Sequence, residues 1–221
     1  MKKIFATLAA IVFSTSALAV DLSGLSGSVG ITGNYGLYGG NGKEENTNVS
    51  GVLERTTKKD GAAFVDGYAS IFAELYFNDN FAVGVDYVVG DIDTPKNINS
   101  GEGGAGENVD IEVEATFDEL TTIYALLKSD IGVYAKIGFS TMEIDVTSKN
   151  AGTYADPGNT DGEQYALGYQ YDGDNGVGFR AELAYHEFDS VSANNGQTDK
   201  NTLTVTDMRG ATGRISVVKS F

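Results

Sequence analysis

The chain has 221 residues, including 29 Gly, 2 Pro, no Cys and no Trp, and a formal net charge of −16. Without cysteine there is no disulfide, thiolate metal site or thiol nucleophile, and so acidic a chain lacks the basic footprint of a nucleic-acid binder. Past the N-terminus no apolar run approaches the roughly 18 residues of a membrane helix, which leaves open a membrane β-barrel, whose alternating strands average out in hydropathy.

Lys2 and Lys3 open the chain, an apolar stretch covers residues 4–13, and Ala17-Leu18-Ala19 follows. A charged start, a short apolar core and an Ala-x-Ala end predict a secretory signal peptide over residues 1–19. Residues 20–221 then form one exported domain. Lacking cysteine, it must be stabilised by burial and β-pairing rather than by disulfides.

After residue 20 the apolar residues recur with a period of two, interrupted by Gly, Asn, Asp and Ser clusters, which predicts strands. The first, about 26–38, carries Val29, Ile31, Tyr35 and Leu37. The second, about 63–77, carries Val65, Ile71, Leu75 and Phe77, but also Phe64, Tyr68, Phe72 and Tyr76 on its other side, so its facing is the least defined. The third, about 81–90, carries Phe81, Val83, Val85, Tyr87 and Val89; the fourth, about 109–128, carries Ile111, Val113, Phe117, Ile123 and Leu127. The fifth, about 131–146, carries Ile131, Val133, Ile137 and Phe139; the sixth, about 164–171, carries Tyr165, Leu167, Tyr169 and Tyr171. The seventh, about 177–188, carries Val177, Phe179, Leu183 and Tyr185; the last, about 203–221, carries Leu203, Val205, Ile215, Val217 and Phe221. In each strand the main apolar set falls on odd numbers.

Short turns at 78–80, 129–130 and 172–176 alternate with long polar loops at about 39–62, 91–108, 148–163 and 189–201. Both prolines, Pro95 and Pro157, fall in long loops, where a missing N–H breaks no ladder. This is an up-and-down meander. Residues 49–53 are mildly apolar and suggest a short strand extension inside the first loop.

Which face is the core follows from three features. Phe77 and Phe81 flank one short turn, Tyr171 and Phe179 flank another, and Phe221 ends the chain on the same edge. Tyr87, Phe139 and Tyr185 form a second odd-face row. Two aromatic rows bounding an aliphatic band are the mark of a lipid-facing barrel surface, although the 129–130 turn lacks odd-face rings. The even face is mostly Gly, Ser, Thr and Ala, with Glu74, Asp86, Lys136, Arg180, Glu182 and Arg214 at similar depths from the short-turn edge. Three acids and three bases balance, as charges enclosed in a low-dielectric interior require. The chain ends on an alternating strand finishing with Phe221.

A signal peptide, eight alternating strands and a terminal Phe resemble the small outer-membrane β-barrels of Gram-negative bacteria, the OmpA membrane domain and the OmpX group. The resemblance implies an all-β fold, an eight-stranded antiparallel up-and-down transmembrane β-barrel in the outer membrane. It implies that Phe221 is read by the outer-membrane assembly machinery, and that the barrel is a monomer among lipid and lipopolysaccharide. Lys219 departs from the pattern, standing where an apolar residue is usual, and is expected to snorkel to the periplasmic headgroups.

Eight strands leave an interior just wide enough for side chains. The expected function is therefore a structural or surface-interaction role, with a plugged interior and extracellular loops that meet a ligand. Asp110, Glu112 and Glu114 form an acidic rim beside Asp91, Asp93, Glu102 and Glu107. Alternate carboxylates suit hard divalent cations, but EF-hand spacing is absent, and a solvated rim facing lipopolysaccharide is the reading taken. No cofactor and no metal site are expected. Two further readings remain. One is a narrow channel or small-molecule carrier, as in the resembling OmpW group, which requires a lumen free of bridging charges or a lateral opening. The other is a lipid-modifying enzyme, for which the only His, His186, has Glu187, Asp189 and Ser190 nearby in sequence. His186 falls on the inward face, whereas such sites face the membrane, so no enzymatic activity is expected.

Overall fold

The computed structural model describes residues 26–102, 108–149, 154–196 and 201–221. The expected signal peptide lies outside them. Eleven strands follow in order: β1 (Ser26–Thr47), β2 (Leu53–Asn78), β3 (Phe81–Val89), β4 (Ile92–Asp93), β5 (Asn97–Glu102), β6 (Asn108–Lys128), β7 (Val133–Lys149), β8 (Gly158–Asp172), β9 (Val177–Phe188), β10 (Val191–Asn194) and β11 (Asn201–Ser220). Eight of them run side by side as β1-β2-β3-β6-β7-β8-β9-β11, and β11 pairs antiparallel with β1, closing the barrel. The short strands β4 and β5 pair with the outer part of β6, and β10 with the outer part of β11. Among the described residues no helix is long and apolar enough to cross a membrane; the crossing elements are strands.

Through the membrane odd residues point out and even residues point in; beyond the register shifts at Asp118–Thr121 and Gly39–Asn41, where Glu119 and Asp207 adopt positive φ, the facing of β6 and β11 reverses, so Phe117 and Val205, expected outward, pack inside. Ile31, Leu167, Leu183 and Ile215 are each more than 60% exposed on the outer wall, while Tyr124, Tyr134, Ala184 and Val218 are buried inside. An apolar side chain left in water forfeits about 1.5–3 kcal/mol, so a continuous outward band of them is a lipid-facing surface. β2 obeys the same rule, with Phe72 and Tyr76 inside and Ile71 and Phe77 outside.

The aromatic rows bound this band. Phe77 and Phe81 stack at 5.6 Å across the first short turn. The gap expected beside the 129–130 turn is filled from the next strand, where Tyr169 stands opposite Val133. That turn is also longer than expected. Gly132 adopts φ 87°, a left-handed conformation that ends the turn and delays β7 to Val133, leaving Ile131 in the turn.

The largest departure from the sequence reading lies above the membrane. Residues 39–62, expected as a loop, mostly continue β1 and β2, whose pairing runs out to Thr47↔Leu53. β1 keeps its β11 partner to the same height, at Asn46↔Asn201. Residues 49–53, expected as a strand extension, are largely the turn itself: Gly51 N–H donates to the Asn48 carbonyl at 2.8 Å, and Asn48 Oδ1 accepts from Ser50 and Val52 N–H at 3.0 Å. Apolar alternation reports a strand only where one face meets lipid; where both faces meet water, the strand continues without the pattern.

Candidate functional site: an ion-paired plug beneath an apolar cup

The inward face of a membrane strand carries its polar residues at every second position, so each strand delivers one or two to a given depth. At mid-depth these are the six charges read from the sequence. Glu74 receives both Nη atoms of Arg180, at 2.6 and 2.5 Å. It also accepts from Ser28 Oγ at 2.8 Å, Tyr124 OH at 2.8 Å and Tyr76 OH at 3.0 Å. Arg180 Nε donates to Gln170 Oε1 at 2.5 Å, and its guanidinium lies 4.7 Å from the Phe72 ring centre and 5.4 Å from that of Tyr134.

One layer further out, Glu182 accepts from Lys136 Nζ at 2.8 Å, Arg214 Nη1 at 2.9 Å and Tyr134 OH at 2.8 Å. Arg214 Nη2 also pairs with Asp86. Lys136 Nζ lies 4.3 Å from the centre of the Tyr124 ring. All six charged residues are buried. Burying ions costs several kcal/mol each unless partners and hydrogen bonds offset it, and here every charge has both. Ser28, Tyr124, Tyr134 and Gln170 were not singled out in the sequence, and Tyr76 only as an even-side ring of the second strand, yet with the six charges they give every barrel strand a member of the network. Their signal was even-face polarity at matching depth.

Above the network the lumen turns apolar. Tyr38, Val88, Leu120, Met142, Phe188 and Met208 form a buried cluster, with Phe64 and Phe117 packed against it. The rings of Tyr38 and Phe64 stack at 5.6 Å, and those of Phe64 and Phe117 at 6.3 Å. Over this cluster lies a cavity of about 520 Å³, floored by Tyr38, Phe188 and Met208 and walled by Phe64, Phe117 and Ile144.

His186 sits at the boundary between the tiers. It is buried, with Nε2 3.0 Å from Thr212 Oγ1 and its ring stacked on Phe188. Its sequence neighbours do not join it: Glu187 points outward beside Arg209 at 3.7 Å, and Ser190 is exposed beyond the strand end. At the opposite edge, Phe221 completes the ladder by exchanging backbone bonds with Gly27 at 2.9 and 3.0 Å. Its exposed ring covers the Gly27 position. Lys219 Nζ donates to the Asn175 carbonyl at 2.7 Å, so it fastens β11 to the neighbouring turn rather than standing free.

The acidic rim is less bare than its sequence suggests. Glu112 pairs with Lys149 at 3.1 Å, and Lys96 approaches Glu114 and Glu112 at 3.7 and 3.9 Å. Asp110 takes its place on β6 opposite Ser100 of β5. Among the described residues no group of His or carboxylate side chains is arranged to hold a metal ion. Outside the membrane band, the protonated Asp118 carboxyl donates a hydrogen bond to the Asp91 carboxylate, partial burial and the negative charges of Asp91, Asp145 and Glu143 act in the same direction, and its pKa is pushed up to about 6. A folded-state pKa above the unfolded one stabilises the folded rim fully below the ordinary carboxylate value near about 3.9, and this is lost as pH rises through about 6. Amide exchange around Phe117 and Asp118, corrected for intrinsic rates, is expected to be slower at about pH 5 than at about pH 7. Asp118→Asn should erase the difference; equal protection in the unaltered protein at both pH values contradicts the assignment.

A closed antiparallel barrel with an apolar outer wall, two aromatic rows and an ion-paired interior defines an outer-membrane β-barrel protein. The chain belongs to the outer membrane protein beta-barrel domain family, whose model matches residues 5–206. It is similar to the outer membrane protein OprG from Pseudomonas aeruginosa, with 12% identity and a TM-score of 0.53, over 88% of this chain and 96% of that one. Weaker likenesses are the outer membrane protease OmpT from Escherichia coli, with 10% identity and a TM-score of 0.44, over 88% of this chain and 97% of that one, and Ail, the attachment invasion locus protein of Yersinia pestis, with 11% identity and a TM-score of 0.36, over 86% and 99%. No curated protein matches the sequence.

Proposed function

We propose that this protein receives small apolar molecules in the cup at its outer mouth, and that the ion-paired network beneath keeps the lumen closed to free diffusion. The observation that carries the reading is the apolar cavity of about 520 Å³ resting on a neutralised set of six buried charges. Such a volume is in the range of small-molecule sites, about 300–1,000 Å³. The wall above the membrane supports a sideways exit. β3 ends opposite Ala69, while β2 continues outward to Leu53. Ala63 and Phe64 of β2 and Ile92 and Pro95 beyond β3 all line the cavity. Exit by this route would satisfy one of the two conditions for a carrier, a lateral opening, without requiring a lumen free of bridging charges. It also moves the surface-interaction role expected from the sequence off the loop tips and into the mouth.

The test pairs two measurements. Planar-bilayer recordings are expected to show no steady open channel. Ala115 lines the cavity, and Ala115→Trp should weaken binding of the uncharged probe N-phenyl-1-naphthylamine by about tenfold, roughly 1.4 kcal/mol, with gel mobility confirming a folded barrel. A steady conductance, or probe binding indifferent to the filled cavity, overturns the proposal.

A further inference from the structure

The side chains around the cup narrow the class of molecule it suits. Tyr38, Phe64, Phe117 and Phe188 bring four rings to the cavity, and Met142 and Met208 add two thioethers. These two are the chain's only methionines beyond Met1. Phe64 and Phe117 lie within 9° of parallel. Phe188 lies within 5° of parallel to His186, one inward position deeper on β9, with 6.1 Å between ring centres, so this ring pair ends at the cavity floor. The polar side chains beside the rings are already engaged. The hydroxyls of Tyr38 and Tyr68 pair with each other. Thr94 Oγ1 donates to the Ala115 carbonyl at 2.9 Å and accepts from the Ala115 N–H at 3.0 Å. Arg209 turns to Glu187 and Asp207 at 3.7 Å, and Lys96 to Glu114 and Glu112 at 3.7 and 3.9 Å. Lys59 stands exposed on β2, outward of Phe64.

Resting on the reading of the cavity as a ligand site, we propose that its preferred occupant is an un-ionised aromatic hydrocarbon of one or two rings. Rings packed offset or edge to face gain binding beyond the area they bury, and a thioether beside a ring edge adds to it. A saturated molecule of the same size buries similar area and makes neither contact. A polar head would leave water for a site whose hydroxyls are spent on other groups, and would lose its hydrogen bonds there. The cavity of about 520 Å³ has room for one or two fused rings.

The test uses the membrane-inserted protein in phosphatidylcholine nanodiscs at neutral pH, with bound N-phenyl-1-naphthylamine displaced by naphthalene, by its saturated counterpart decalin, or by 2-naphthoate. The two hydrocarbons are compared at equal mole fraction in the lipid, which removes their difference in partitioning. Naphthalene is expected to displace the probe about tenfold more effectively than decalin, and more effectively than 2-naphthoate. Phe117→Leu combined with Phe188→Leu keeps the walls apolar and removes two rings. With gel mobility confirming a folded barrel and the change in probe affinity corrected for, it should bring naphthalene close to decalin and leave decalin unchanged. Equal potency of the two hydrocarbons in the unaltered protein overturns the aromatic proposal while the cavity reading stands; failure of every compound to displace the probe overturns both. Equal losses for naphthalene and decalin in the variant show that the rings serve only as bulk and also overturn the proposal. A 2-naphthoate that outcompetes naphthalene makes Lys59 the group that selects the ligand and overturns the un-ionised arene.

Discussion

Arg180→Met is expected to destabilise the barrel by about 3–5 kcal/mol, the range for removing one partner of a buried ion pair. The loss comes less from the pair's own attraction than from what remains. Glu74 is 1% exposed and would keep only hydroxyl donors, from Ser28, Tyr76 and Tyr124, for a full negative charge. Phe72 and Tyr134 would also lose the cation between their rings. Adding Glu74→Gln removes the stranded charge and should recover much of the loss, because replacing both members of a buried pair is often close to neutral. Urea unfolding in lipid vesicles, followed by the gel mobility of the folded form, measures both. A single-variant loss below about 1 kcal/mol, the level of an exposed pair, means that the network is hydrated rather than buried.

The fold was legible because lipid imposes a strict rule on sequence. Every strand inside the membrane must alternate, and residues 177–188 were bounded to the residue by alternation and turn chemistry alone. The ionic network was legible for a related reason: six charges on an otherwise small, polar face at one depth have nowhere to go but together. Its uncharged members were not, because Tyr76, Tyr124 and Tyr134 look like any other aromatics until the ring closes and brings them to Glu74 and Glu182. The cup was the least legible part. Its residues come from the outer ends of β1, β2, β6, β7, β9 and β11 and from β4 and β10, where water bathes the outer wall and alternation fades. Phe64, Leu120 and Met142 meet only through register set many residues below, and no local pattern carries that information.

Gly168→Val is the sharpest test of how tightly that register packs the plug. Gly168 lies on β8 between Tyr134 of β7 and Glu182 of β9. The Tyr134 ring lies across it, so an added Cβ would land on the ring and within 2.8 Å of the Ala181 carbonyl. Tyr134 is 1% exposed, hydrogen-bonded to Glu182 and 5.4 Å from the Arg180 guanidinium, so its ring cannot shift without disturbing the network. Overpacking of this kind costs about 1–3 kcal/mol, and the displaced hydroxyl gives up its 2.8 Å bond to Glu182, a further contribution of about 1.5–3 kcal/mol for a bond to a charged group. Tyr134→Phe removes the hydrogen bond without the clash and should show the smaller part alone. Gly33→Val supplies the control, since Gly33 faces outward with nothing within 4 Å of its added Cβ, and a β-branched residue suits an exposed position on a pleated strand. Its stability should stay within about 0.5 kcal/mol of the unaltered barrel. Equal losses at Gly168 and Gly33 would show that a valine penalises the strand backbone itself, and that the ring-on-glycine contact at the plug carries no special weight.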